Sequence, residues 1–374
     1  VQVYMNMRKG FEGFSQGDPQ ASLVFNGSFG SIDEYVPVLG FDDAKSLREN
    51  RSRLAHDLPR LSSLLAEDSD VHAQTTDAYR ADAIPSPGSM KIGTDENQLP
   101  IGSGKALKSW KEDGRSYTQF AIDSAESLNW HIGTGPYTIL GEGSSAEVFH
   151  LPKHPFNCNL YRTIINKATK FHKQQLGSFP YESVRLYEIP FYQDEIYAFA
   201  QGIAISEKEG WIADTTGLKE RAYLHFTIAQ ALAQQWVQHH LRVSDVQGAE
   251  MIKLALPGAL ALQFVKDELG EEAVEHLSEQ MMKIYNKERF NDPIGEPPLL
   301  RADGKDYLEQ NLGSLALYDW SKELGLPTFA VALKNQANSS EWTRFSDLYR
   351  NLLNLTSGEE RKSYWRTRFE TVPE

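Results

Sequence analysis

The chain changes texture once along its length, near residue 153, and that change limits its fold more than any other feature. Before it, Gly, Ser, Asp and Pro separate short apolar runs. SLVFNGSFGS (22–31), GRSYTQFAID (114–123) and GPYTILGEG (135–143) read as strands with turn residues between them. A polar stretch, DDAKSLRENRSRLAHDLPRLSSLLAE (42–67), reads as an inserted helical hairpin, and AIPSPGSMKIGTDENQLPIGSG (83–104) as irregular, turn-rich chain. From Pro155 onward the spacing becomes helical. TIINKATKFHKQQLG predicts a helix stopped at Gly177, and VRLYEIP (184–190) and AQGIAIS (200–206) predict strands. Leu218 to Leu241, full of Ala, Leu and Gln, predicts a strong helix, and further helices are expected at 249–268, 270–286, 309–325, 328–336, 341–355 and 358–369. The pattern gives an α+β fold in two domains: a β-rich domain over 1–153 and a mostly helical one over 154–374.

Charge and cysteine count exclude several function classes. Lys and Arg total 38 against 51 Asp and Glu, a formal charge of −13, so the phosphate backbone of nucleic acid is not an expected partner. The lone Cys158 excludes an internal disulfide and any zinc site built from several thiolates. Flanked by Asn157 and Asn159, it reads as an inert buried thiol. The longest apolar run, LALPGALALQFV (254–265), falls short of the roughly twenty residues of a spanning helix and reads as a buried segment. The sequence begins at Val1 without Met, which reads as a fragment or a processed product whose targeting or membrane segments need not be included. GEGSS (141–145) lacks the lysine of a phosphate-binding loop, and Asn26, Asn338 and Asn354 fit the glycosylation acceptor pattern only formally.

The long helix carries the functional reading. Its text, IAQALAQQWV (228–237), resembles the zinc helix of the gluzincin aminopeptidases, the aminopeptidase N family, usually xAHExxHQWW. Downstream, Asp245 to Met251 resemble the start of DVQGAxMLSETLAxY, EPPLL (296–300) resembles the family's EPPL, and QNLGSLALY (310–318) resembles YxKGSLVMY. FAQGIAISE (199–207) resembles the strand before the zinc helix, with Glu207 placed differently from the Glu that holds a substrate's amino group. Three further stretches, VFNGSFGSIDEYVPVLGF (24–41), ENQLPIGSGKALKSWKEDGRSYTQF (96–120) and 154–190, resemble the branch of this family fused to bacterial ABC-type permeases. The series is collinear over about 20–335.

That resemblance implies a thermolysin-like second domain with a disabled site. The two histidine-ligand positions map to Gln230 and Gln234, the general base to Ala231, the third ligand to Leu254 and the oxyanion donor to Gln310. A glutamine amide is a poor zinc ligand and a leucine is none, so no zinc or other cofactor is expected. The implied function is a catalytically inactive, aminopeptidase-like extracytoplasmic domain of bacterial type, membrane-associated through a partner or a missing segment. Expected partners are a peptide or protein in the vestigial cleft and an ABC-type permease or another membrane-assembly subunit. Two alternatives stay open: a hydrolase that uses other residues, and a docking module whose cleft is filled by its own side chains around Leu254 and Leu312. Other histidines are poor ligand candidates. His225 and His239 lie about 21 Å apart along a helix and cannot share an ion. His239 and His240 diverge on a helix and, with Asp245, read as structural. His150, His154 and His172, near the expected domain junction, read as a weak metal candidate.

Overall fold

The computed structural model describes residues 23–24, 27–31, 47, 50–59, 61, 63–79, 88–122, 130–190, 196–292, 295–339 and 341–372. Asn26 lies outside them. The chain divides into two compact units, each discontinuous in sequence: 1–40, 85–166 and 181–215 form the first, and 41–84, 167–180 and 216–374 the second. This differs from a single cut after residue 153.

The first unit holds twelve strands among the described residues: β1 (Leu23–Val24), β2 (Gly27–Ser31), β3 (Gly88–Asp95), β4 (Leu99–Gly102), β5 (Lys105–Glu112), β6 (Arg115–Ile122), β7 (His131–Gly135), β8 (Thr138–Leu140), β9 (Ala146–His150), β10 (Val184–Ile189), β11 (Ile196–Phe199) and β12 (Gly202–Ser206). They form three sheets, ordered β1-β2-β7-β4, β11-β12-β10-β9-β8 and β3-β6-β5. In β6 every second residue, Ser116, Thr118, Phe120 and Ile122, is buried, the period of a strand with one covered face. β10 and β12 are buried at every residue and lie parallel, as expected for apolar runs covered on both faces. Phe29, Ile101, Tyr137, Phe149, Tyr187, Ile189, Phe199 and Ala204 make one apolar core between the four- and five-stranded sheets.

The stretch 83–104 is not irregular: its described part forms β3 and β4. β3 pairs with β6 along its whole length, from Gly88 opposite Ile122 to Asp95 opposite Arg115. Its Gly, Ser and Thr content hid a strand that gains its order from the partner's ladder, a cross-strand effect that local propensity does not register.

The second unit is helical. α1 is Asn50–Ala55. α2, Cys158–Leu176, belongs to the first unit up to Asn166 and to the second thereafter, and ends at Gly177, whose φ of +88° suits only a residue without Cβ. α3 (Leu218–His240), α4 (Leu256–Leu269), α5 (Glu271–Asn291), α6 (Ser314–Leu324), α7 (Leu326–Ala337), α8 (Phe345–Leu355) and α9 (Glu359–Glu370) complete it. α3 and α4 are buried around most of their circumference and pack on each other, so they form the centre. Trp320 on α6 stacks on Trp365 of α9 with ring centroids 4.7 Å apart and meets Phe369 at 5.2 Å and Tyr349 at 5.7 Å. Among the described residues no helix is long and apolar enough to cross a membrane.

The described residues of 42–67 do not form a helical hairpin. Among them only α1 is helical, and Asp57, with φ of +56°, turns the chain before Pro59. Residues 63–79 run instead beside 243–247. Ala66 bridges Val246, Asp77 bridges Ser244, and the Asp245 and Gln247 amides donate to Thr76 and Ala66 carbonyls at 2.9 and 2.8 Å. The insert thus belongs with the helical unit.

Candidate functional site

α3 is built from small and apolar residues where it is most enclosed. Ala229, Ala231, Leu232 and Ala233 are buried, which lets α4 approach closely. On α4, Gly258 leaves no room for a side chain. A Cβ there would stand 2.2 Å from Ser314 Oγ, 2.8 Å from Ser314 Cβ and 3.6 Å from Gln230 Nε2. Gly258→Ala is therefore expected to cost about 1–3 kcal/mol by overpacking. Ser314→Gly in the same chain should recover much of that loss, measured by urea denaturation of all four combinations.

Gln230 is buried, and its Nε2 has no hydrogen-bond partner. Ser314 Oγ close by is also buried without one. Ala231 is buried and Gln234 half-buried. Leu254 is half-buried on a π-helical turn, Met251–Ala255, that leads into α4. Its neighbour Lys253 pairs with Glu250 at 2.8 Å and donates to the Ala78 carbonyl at 3.0 Å. A second π-helical turn, Tyr307–Gly313, precedes α6 and carries Gln310, which is exposed, and Leu312, which is buried. The two turns touch: a Cβ on Gly313 would lie 2.8 Å from Met251 Sδ and 3.0 Å from Ala255 Cβ. α3 packs on the first turn and the first turn on the second, so Gln230, Leu254 and Gln310 sit on mutually packed elements. Single-turn π insertions recur at functional sites.

The donor set at these positions is neutral. Gln230 and Gln234 offer amides, and Ala231 and Leu254 offer nothing that can hold a cation or take a proton. These residues do not fit zinc, so no chemical step is derived through a metal here. The nearest carboxylate on the second turn, Glu309, faces inward. It is fully buried, and its Oε1 accepts the amides of Gly304 and Lys305 at 2.9 and 3.1 Å. Its Oε2 has no partner. Burial pushes its carboxyl up to about 8.

The other histidines behave as structural groups. His225 Nδ1 donates to the Arg221 carbonyl at 2.7 Å, and burial lowers its pKa. His172 Nε2 donates to the Ala229 carbonyl at 3.2 Å, and burial lowers it to about 4. Burial, and then His239, lower His240 to about 4. His150 Nδ1 donates to the Leu151 carbonyl at 2.8 Å. The Cys158 thiol is buried, and that burial raises it to about 11, which keeps it protonated at neutral pH.

One cluster in the first unit was missed. Among the described residues, His154, Glu188 and Glu207 are the one group of three His, Cys, Asp or Glu whose ligand atoms converge, all within 4.8 Å of one another. The sequence sets His154 beside His150 and His172 only. Glu188 sits in VRLYEIP, which also carries Arg185, and reads there as an ordinary strand residue; the burial of β10 on both faces is what sets it apart.

No protein-family model matches the chain, and no curated protein sequence matches it. Solved structures do. The crystal structure of a mutant M1 zinc metallopeptidase from Deinococcus radiodurans superposes with a TM-score of 0.58 at 14% identity, covering 79% of this chain and 67% of that one. At that identity the likeness is one of fold: this chain, with its β-rich first part and helical second part, is similar in architecture to an M1 zinc metallopeptidase of the gluzincin, aminopeptidase N type.

Proposed function

We propose that the chain is an inactive aminopeptidase-like domain that binds or docks rather than cleaves. The observation that carries this reading is the pairing of an M1-type fold with glutamine, alanine and leucine where that chemistry needs two histidines and two glutamates. One lost ligand weakens a metal site; loss of all three, with the base and the oxyanion donor, leaves a scaffold without its reaction. The helix itself is kept, fully formed and at the centre of its unit. Gln230 and Gln234 keep hydrogen-bonding capacity suited to peptide amides. By sequence resemblance the domain works outside the cytoplasmic membrane, in an ABC-type transport assembly, with a peptide or protein as its ligand.

The test is paired. The parent chain, loaded with zinc, should hydrolyse no aminoacyl p-nitroanilide above buffer rate. The variant Gln230→His, Ala231→Glu, Gln234→His, Leu254→Glu should bind one equivalent of zinc more than the parent, measured by elemental analysis after dialysis. Turnover by the parent would overturn the inactive reading. A folded quadruple variant that gains no zinc would overturn the assignment of these positions.

A further inference from the structure

We propose that His154, Glu188 and Glu207 form a binding site for a divalent transition-metal ion in the first unit. Its residues are not those of the α3 positions, and it does not depend on how they are read. The argument begins with Glu188. It lies on β10, between Tyr187 and Ile189, and is 1% exposed. A buried carboxylate is costly unless it is paired or coordinates a metal. Among the described residues neither Glu188 nor Glu207 pairs with a lysine or arginine; the side chain both face is the His154 imidazole.

The three side chains are held from the backbone. The Leu151 amide donates to Glu188 Oε2 at 2.7 Å, which leaves Oε1 turned to His154 Nδ1 at 2.5 Å. The turn that supplies this amide is closed by His154 N–H to the Leu151 carbonyl at 2.9 Å, so one short loop fixes the carboxylate and carries the imidazole. Tyr137 OH donates to the Glu188 carbonyl at 2.8 Å and anchors that point of β10. Glu207 enters from the first residue of a π-helical turn, Glu207–Trp211, directly after β12, and its Oε1 lies 3.4 Å from the same Nδ1.

One of those spacings already suits a small ion, and the 2.5 Å contact between Glu188 and His154 opens by about 1 Å to admit one. Ligand atoms about 2.0–2.2 Å from a tetrahedral zinc stand roughly 3.3–3.5 Å from one another. The Glu207–His154 separation is already of that size, and the widest separation in the group, within 4.8 Å, closes by a side-chain movement of about 1 Å. An imidazole with two carboxylates favours zinc and its neighbours over magnesium or calcium, which prefer all-oxygen shells. His154 and Glu207 are 26% and 23% exposed at the side chain, so the face opposite Glu188 is open to ion entry and to a water as fourth ligand. The carboxylate oriented by a backbone amide is the outer-shell support that metal sites rely on.

The experiment uses the full chain, stripped with chelator, and titrates Zn²⁺ against a chromophoric competitor, with Co²⁺ absorption as the second readout. The expected result is one tightly bound equivalent. His154→Ala and Glu188→Gln should each weaken it by at least about 10-fold and remove the Co²⁺ ligand-field bands. Gln230→Ala with Gln234→Ala should bind as the parent does. Glu207→Gln, at a partly exposed side chain, serves if the buried variants do not fold, and should weaken binding likewise. No zinc uptake by the folded parent would overturn the proposal, as would uptake unchanged in His154→Ala and Glu207→Gln. Zinc lost only in the Gln230, Gln234 variant would overturn the inactive-peptidase reading as well.

Discussion

Glu309→Gln is expected to flatten the pH dependence of stability between about pH 5 and 8. The Glu309 carboxyl is raised to about 8 in the folded chain by burial, against 4.5 for an unhindered glutamate. Between those values the folded state holds a proton that the unfolded state has released. Stability therefore falls as pH rises through this window and levels off above it. At one pKa unit per 1.36 kcal/mol the loss is on the order of 5 kcal/mol. The geometry says where the proton sits: Oε1 already accepts two backbone amides, and Oε2 is the oxygen with no partner. A glutamine keeps the acceptor and removes the charge. Urea midpoints at pH 5.5 and pH 8 should differ in the parent and converge in Glu309→Gln. A parent with equal midpoints would mean that the carboxylate is solvated when charged.

Trp320→Ala is expected to cost about 3–5 kcal/mol, the range for emptying the site of a fully buried large aromatic. Trp320 is wholly buried, stacks on Trp365 and donates from Nε1 to Thr356 Oγ1 at 3.0 Å. Its loss leaves Trp365, Phe369 and Tyr349 lining a cavity and removes the donor to the Thr356 hydroxyl, which keeps its own bond to the Leu352 carbonyl at 2.9 Å. Calorimetry should show a lower transition for the helical unit. An unchanged midpoint would mean that α9 collapses into the gap at little cost.

Much of the helical unit was legible because its signals are local. The 218–241 run became α3, and Gly177 stops a helix where the sequence expected. β10 and β12 were legible for the same reason, as short apolar runs between turn residues. The failures share a cause in distance. β3 takes its order from β6, and residues 63–79 take theirs from 243–247, about 170 positions onward. No window along the chain contains such partners. The DVQGA text at 245–249, noticed for its resemblance, proves to be where that pairing is made. The π-helical turns that hold Leu254 and Gln310 have no compositional mark either. Gln230, Gln234, Ala231, Leu254 and Gln310 were reached through resemblance, whereas Glu188 needed the fold, since only burial on both faces of β10 distinguishes it from a solvent-facing glutamate.

The pairing of 63–79 with 243–247 also sets an order on synthesis. A ribosome delivers the chain from its amino end, and everything the first unit needs has been made by residue 215. At that moment residues 41–84 already exist but must wait, because Ser244, Asp245 and Gln247, which will receive them, have not yet been translated. An early segment without its docking strand is the usual place for a nascent chain to meet a chaperone or a wrong neighbour. Slowing translation between 215 and 247 would lengthen that wait, and for the same reason a helical fragment started at residue 154 would be born without the strip that covers 243–247.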